Sequence, residues 1–322
     1  MQGTDRTDRP YTSVVLALIT GGSGFVGRHL TAHLLASGDE VVATDRSSGG
    51  PDICCAPAVA QLFEQVRPDV VYHLAGDSDV GGSWAHPLTT FRSNAEGTLS
   101  VLTAAREAGV GRVLFVGSAD VYGKVRSEDL PLDEDAPIRP VSPYAASKVA
   151  ADQLCVQAGL GYGLDVVRVR PFNHIGPGQS PRFVAPAIAH RIAVNEREGG
   201  DSVPVGNLTP QRDLTDVRDV VRAYRLLVLH GAAGEVYNVC SGRATAVSEL
   251  AVAMLGMASR PMRLVPDPLL ERPVDVPILV GDAGRLRAAT GWTPELDLAT
   301  TVKDVLEDAR RRVEEGHDGA PL

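Results

Sequence analysis

Lysine is nearly missing from this chain. Only Lys124, Lys148 and Lys303 carry an ammonium, and almost every other positive charge is arginine. A basic stripe is also lacking: 40 acidic residues face 31 basic ones for a net charge of −9, which excludes a general nucleic-acid binder. No apolar run is long enough to span a bilayer. The longest near the N-terminus, residues 14–19, follows the mixed charges Asp5, Arg6, Asp8 and Arg9 rather than the basic start of a signal peptide. The four cysteines, Cys54, Cys55, Cys155 and Cys240, form no CxxC pair and no disulfide-like spacing. A reduced, cytoplasmic protein with no membrane partner is expected. Of the eight histidines only His29 and His33 stand at HxxxH spacing, without the glutamate of an HExxH motif, and no metal site is expected. There is no internal repeat and no low-complexity tract.

What is present is 44% apolar sequence, enough for a substantial core, arranged as alternating strand and helix patterns. Strands are predicted at 14–19, 41–44, 70–74, 113–117 and 165–169, and helices at 25–36, 98–108 and 145–158. Strands separated by helices of this length imply a doubly wound α/β domain with a parallel sheet. After Pro171 the pattern breaks into shorter pieces rich in proline and glycine. The chain therefore divides into a dinucleotide-binding domain over 12–172, with a return of 209–244, and a smaller substrate-binding lobe over 173–208 and 245–312. Residues 1–11 and 313–322 are expected to be flexible ends.

The first predicted strand runs directly into Thr20-Gly21-Gly22-Ser23-Gly24-Phe25-Val26-Gly27. Glycines at 21, 24 and 27 permit a tight strand-to-helix turn and close approach of a pyrophosphate to the backbone; the helix N-terminus supplies free N–H groups. Asp45 lies 18 residues past Gly27 at the end of the second strand, where an acid binds the adenosine ribose hydroxyls. A carboxylate there repels a 2′-phosphate, so NAD is expected ahead of NADP, a preference that neighbouring Arg46 softens. Asp52 and Ile53 are placed beside the adenine, and Leu74, Ala75 and Gly76 beside the cofactor at the end of the next strand.

Tyr144 and Lys148 stand four apart at the start of a helix, hence on one face. An ammonium beside a phenol favours the phenolate, so Tyr144 is expected to exchange a proton with a substrate hydroxyl near neutral pH. Ser118 ends the preceding strand and is placed on the same oxygen. A non-enzymatic binding or redox-sensing relative would not be expected to keep both members of the pair.

These motifs, with HLAG at 73–76, GSADVYG at 117–123, SPYAASK at 142–148, RPFNHIGPGQ at 170–179, RDLTDVRD at 212–219 and RPVDVP at 272–277, resemble the extended short-chain dehydrogenase/reductase family that modifies nucleotide-diphosphate sugars. FNHIGPGQS, VGNL ahead of RDLTDVRD, and YNVCSG resemble its GDP-mannose branch, above all GDP-4-keto-6-deoxy-mannose reductases. The resemblance implies a Rossmann-type fold and a homodimer through a four-helix bundle made by 98–108 and 145–158. It implies Tyr144 as acid/base, Lys148 as its partner and ribose ligand, and Ser118 as the hydroxyl that orients the sugar. Asn173, Arg212 and Arg272 would meet the diphosphate and Asp275 the nucleotide's ribose. His174, Val205 and Asn207 would join the substrate pocket, with Asp79, Ser83, Trp84 and Asp120 around the sugar.

The net reaction divides three ways. Dehydratases of the family carry Glu two residues before the tyrosine of the YG pair, with Asp or Ser ahead of it; here those positions are Asp120 and Ala119. A reductase consumes reduced cofactor, commonly NADPH, against which Asp45 argues. A 4-epimerase returns the same hydride and needs only retained NAD. The expectation is a 4-epimerase of a purine-nucleotide sugar, most simply a GDP-sugar, with the 4-reductase as the alternative and the 4,6-dehydratase third. The segment between Arg46 and Asp52 is only five residues long, so the third strand of the usual fold is expected to be missing or very short.

Overall fold

The computed structural model describes residues 15–270 and 276–316. The chain runs β1 (Leu16–Thr20), α1 (Phe25–Ala36), β2 (Glu40–Thr44), α2 (Ala56–Val66), β3 (Val70–His73), α3 (Pro87–Phe91), α4 (Gly97–Glu107), β4 (Arg112–Val116), α5 (Pro143–Tyr162) and β5 (Val166–Pro171). It continues through β6 (Asn173–Ile175), α6 (Val184–Glu198), β7 (Ser202–Val205), β8 (Gln211–Asp216), α7 (Val217–His230), β9 (Val236–Val239) and β10 (Ala244–Ala246). The last elements are α8 (Val247–Gly256), β11 (Arg263–Pro266), β12 (Ile278–Leu279), α9 (Gly284–Thr290) and α10 (Leu298–Glu314).

Among the described residues, six parallel strands form the main sheet in the order β2-β1-β3-β4-β5-β9. Both of its faces are buried, which is why β1 and β3 read as apolar runs rather than as alternating ones. Successive side chains still part company: Ala17 and Ile19 join Leu30 and Leu34 of α1 and Tyr224 and Leu227 of α7, while Leu18 meets Phe63 of α2 and Val101 of α4. This is a Rossmann-type doubly wound sheet. The order reverses between β1 and β3, and the crevice at the carboxyl ends of such strands is where ligands bind. As the short 47–51 segment implies, no strand lies outside β2 among the described residues; a 3₁₀ turn, Arg46–Ser48, follows it instead.

α5 is longer than its predicted core. Ser142 Oγ accepts a hydrogen bond from Ala145 N, Pro143 opens the first turn, and Gly163 at φ 69° ends the helix. The lobe has its own core, in which Ile188 and Ile192 of α6, Leu250 of α8 and Val302 and Leu306 of α10 pack together. β9 pairs with β5 at the edge of the main sheet, whereas β8, expected in the same domain, pairs with β6, β10 and β12 in the smaller sheet. α10 passes the expected boundary at 312, with Val313 buried. No helix among the described residues is long and apolar enough to cross a membrane.

Candidate active site

The glycine loop is closed tightly enough to exclude side chains. A Cβ on Gly27 would lie 2.2 Å from Gly21 O, and one on Gly21, at φ +77°, would lie 2.8 Å from Ala75 N. Gly24 caps α1 without a side-chain hydrogen bond, so no side chain satisfies the first-turn amides there, beside Phe25 and Val26. This cradle fits a pyrophosphate. Asp45 Oδ2 accepts from Ser23 N at 2.6 Å, and Oδ1 accepts from Ser47 N at 2.8 Å, Ser47 Oγ at 2.7 Å and Ser48 N at 3.0 Å. Burial opposes ionisation of Asp45, but these donors outweigh it and hold the carboxyl well below the usual range. Arg46 is exposed and reaches Asp52 at 3.6 Å. Ile53 packs under α4, where a Cβ on Gly97 would sit 2.5 Å from Ile53 Cδ1.

At the ends of β4 and α5 lie Ser118, Tyr144 and Lys148, each less than a tenth exposed. Ser118 Oγ accepts from Asp120 N at 3.1 Å, and Tyr144 N donates to Ser83 Oγ at 3.3 Å. Lys148 Nζ donates to Val116 O at 3.1 Å. Burial pushes the Lys148 ammonium down to about 8, with the Asp77 carboxylate pulling upward. The expected phenolate is not what these surroundings favour. Burial, then the charges of Asp120 and Asp77, push the Tyr144 phenol up, against a hydrogen bond from Ser118. In a pocket this dry, loss of solvation disfavours the phenolate. Below it His73 is neutral, its imidazole pushed down to about 3 by burial and by Lys148, between Thr20 Oγ1 at 2.7 Å and Thr98 Oγ1 at 3.0 Å.

Two residues at this centre escaped the sequence reading. Asn94 comes from a π-helical turn, Arg92–Glu96, and is 1% exposed. Its Nδ2 donates to Asp77 O at 3.1 Å and to Ser147 Oγ at 2.9 Å, and its Oδ1 accepts from Asp77 N at 2.8 Å. Asp77 Oδ2 in turn accepts from Thr90 Oγ1 at 2.6 Å. Nothing in the spacing of RSNAEG marks the wider turn that swings Asn94 inward; a buried polar residue in a helix was the available signal.

The substrate candidates disperse. Asp79 Oδ1 accepts from Gly82 N at 2.8 Å and builds the turn that carries buried Ser83 and half-exposed Trp84 to the N-terminus of α5. Asn173 is exposed at the start of β6. His174 is held to Phe172 O at 3.0 Å and stacks on Phe25 at 6.1 Å, which ties it to the glycine-loop helix rather than leaving it free in a sugar pocket. The Val205 side chain is 3% exposed in the lobe core, so it does not line the cleft as expected. Asn207 Oδ1 accepts from Thr209, and Arg212 donates to Val276 O at 2.7 Å, joining β8 to the segment before β12. Arg272 and Asp275 lie outside the described residues. No group of three metal-ligating side chains occurs among the described residues.

A glycine cradle and a Ser/Tyr/Lys set, meeting at the carboxyl ends of one parallel sheet, are features of dinucleotide-dependent enzymes. The chain belongs to the NAD dependent epimerase/dehydratase family, whose model matches residues 17–240. It is 38% identical to the GDP-6-deoxy-D-mannose reductase of Pseudomonas aeruginosa over 92% of this chain and 98% of that protein. It is 31% identical to a UDP-glucose 4-epimerase of Streptomyces lividans over 90% of this chain and 94% of that protein. The structure of RMD from Pseudomonas aeruginosa complexed with NADPH matches with a TM-score of 0.85 at 37% identity, covering 93% of this chain and 100% of that one.

Proposed function

We propose that the protein is a nucleotide-sugar 4-reductase, acting on a 4-keto-6-deoxy sugar carried by a purine nucleoside diphosphate, GDP foremost. This reverses the order expected from sequence, where the 4-epimerase stood first. The observation that carries it is the near full-length likeness to a GDP-6-deoxy-D-mannose reductase, 38% against 31% for the epimerase. The protonated phenol of Tyr144 is suited to serve as the general acid that reduction of a ketone requires.

When bound, the reduced nicotinamide dinucleotide supplies the hydride. Gly21, Ser23, Gly24, Phe25, Val26 and Gly27 would cradle its pyrophosphate, Asp45 its adenosine ribose, Arg46, Asp52 and Ile53 its adenine end, and Leu74, Ala75 and Gly76 its inner flank. Tyr144 gives its proton to the sugar O4 as the carbonyl is reduced. Ser118 Oγ orients that oxygen, and the Lys148 ammonium stabilises the phenolate left behind and holds the nicotinamide ribose. Asn173 and Arg212 meet the diphosphate, and Asp79, Ser83, Trp84 and Asp120 shape the sugar pocket. Ala119, 2% exposed in the core, offers no proton for a dehydration. A homodimer through α4 and α5 belongs to the same reading, with Leu99 of α4 standing 45% exposed.

The 4-epimerase remains the second reading because of Asp45, whose fixed carboxylate disfavours a 2′-phosphate and suits retained NAD. The two are separated by supplying GDP-4-keto-6-deoxy-mannose with NADPH or NADH and following reduced-nicotinamide absorbance and product. One equivalent consumed per sugar, with a new hydroxyl at C4, is expected. A C4 epimer formed from a saturated nucleotide sugar without added reductant would hand the reading to the epimerase.

A further inference from the structure

Asp152 follows Tyr144 by eight residues and Lys148 by four on α5, so the three share one helix face, and Asp152 is 2% exposed. Two arginines of β5 meet its carboxylate. Arg168 Nη1 donates to Oδ2 at 3.0 Å and Arg170 Nη2 to the same oxygen at 3.2 Å, since alternate residues of a strand point to one side. Arg168 turns its other nitrogen outward, to Gly234 O at 2.9 Å. Arg170, 4% exposed, reaches inward instead: its Nη1 donates to Tyr122 Oη at 3.2 Å and to Glu134 O at 3.1 Å. A planar guanidinium with donors at both ends can hold such separated acceptors at once.

Tyr122 ends the turn that Ser118 begins. Ser118 caps the 3₁₀ turn Ala119–Tyr122, so the position of one constrains the other. The entry to that turn is fastened to the strand of Arg170 as well: Gly117 N donates to Val169 O at 2.8 Å, and a Cβ on Gly117 would lie 3.8 Å from Arg170 Cγ. The Tyr122 hydroxyl, having accepted from Arg170, donates to Asn238 Oδ1 of β9 at 2.6 Å, and Asn238 N donates to Glu134 Oε1 at 2.7 Å. One buried guanidinium thus joins the turn that carries Ser118 to the helix that carries Tyr144.

We propose that Arg170 is a positioning residue: through Tyr122 and Asp152 it sets where Ser118 stands relative to Tyr144, and so whether one sugar oxygen meets both hydroxyls. The proposal rests on the reading of Ser118 and Tyr144 as the groups that meet that oxygen. A lysine at position 170 keeps a positive charge beside Asp152 but donates from a single point, which cannot span Tyr122, Glu134 and Asp152 together. The turn is then released from the helix while Arg168 still pairs with the buried carboxylate. The glycine cradle takes no part in these contacts.

The test is Arg170→Lys, read in two ways. Hydrogen exchange followed by peptide mass spectrometry should show faster exchange at 117–123, with 21–27 unchanged. In the reduction, kcat should fall about tenfold or more, because a reacting group misplaced by about 1 Å can cost about a hundredfold. Dinucleotide affinity, measured by calorimetry, should stay within about twofold of wild type, the split that lost positioning produces. In a Ser118→Ala background the same substitution should cost about twofold or less in kcat, since groups that act as a unit are not additive. Full additivity there, wild-type kcat in a folded Arg170→Lys, or exchange accelerated evenly over the chain each overturns the proposal. If Arg170→Lys does not fold, Tyr122→Phe keeps the ring, whose centre lies 5.2 Å from Arg170 Cζ, and loses only the hydroxyl. Both readings should then move the same way by less, and unchanged exchange at 117–123 overturns the proposal equally. Faster exchange at 117–123, in a protein whose wild type turns over no nucleotide sugar, would sink the proposed reaction and leave the clamp standing. Unchanged exchange with full turnover would do the reverse.

Discussion

Asn94 Nδ2 donates to Ser147 Oγ at 2.9 Å, and through that contact the segment after β3 is fastened to the helix that carries Tyr144 and Lys148. Ser147 Oγ itself donates to Tyr144 O at 2.7 Å. One carboxamide thus sets the spacing between the loop that would border the cofactor and the residues that would move the proton.

Truncating that carboxamide should therefore act on catalysis and stability together. Asn94→Ala leaves the N–H and C=O of Asp77 and the hydroxyl of Ser147 short of partners in a buried site, each at about 1–3 kcal/mol. A drop in Tm and a fall in kcat of about tenfold or more are expected; wild-type kcat in a destabilised Asn94→Ala would remove Asn94 from the site.

Tyr144→Phe removes the acid while leaving the packing of a residue that is 7% exposed. Turnover should fall by about 10²–10⁴, the usual contribution of a positioned acid or base. Dinucleotide affinity, measured by titration calorimetry, should stay near its wild-type value. A variant that turns over normally would mean that another group supplies the proton.

Gly27→Ala tests the cradle. The added methyl would meet Gly21 O at 2.2 Å and Gly22 O at 2.7 Å, both backbone atoms, so the loop itself must shift. Overpacking of this kind costs about 1–3 kcal/mol, and dinucleotide binding should weaken about tenfold or more. Unchanged affinity in calorimetry would place the pyrophosphate elsewhere.

The lobe carries its own pH signature. Glu196 of α6 accepts two hydrogen bonds from Arg310 of α10, at 2.7 and 2.8 Å, and one from Ser259 N at 2.7 Å. Arg310 is the main cause that lowers the Glu196 carboxyl from 4.5 to about 2. A folded value below the unfolded one means that the contribution is present above pH 4.5 and is lost as pH falls toward 2. Glu196→Gln should flatten the fall in Tm across that window, and an unaltered slope would show the pair to be electrostatically idle.

The recognisable parts of the site were those whose chemistry is local. The helix at 25–36 coincides with α1 because glycine spacing and helical periodicity both belong to neighbouring residues. Tyr144 and Lys148 share a face because four residues make about one turn. Asp77 and Asn94 were missed for the converse reason: they are 17 residues apart and meet through a π-helical turn whose extra residue leaves no periodic trace. Val205 and His174 were placed in the pocket by their motifs, yet one packs into the lobe core and the other against Phe25, since side-chain direction follows from partners on other elements.

The order of apolar and polar residues was sufficient by itself to determine a parallel α/β sheet, a glycine cradle with an acid at the end of the second strand, and a tyrosine–lysine pair. These follow from backbone sterics and from periodicities of two and 3.6 residues. Only the tertiary structure decided the charge state of that pair. Burial and the charges of Asp120 and Asp77 push the Tyr144 phenol up, while burial weakens the hold of Lys148 on its proton and the Asp77 charge opposes that loss. Desolvation depends on everything packed around a group, and that surrounding is assembled from residues far apart in the chain.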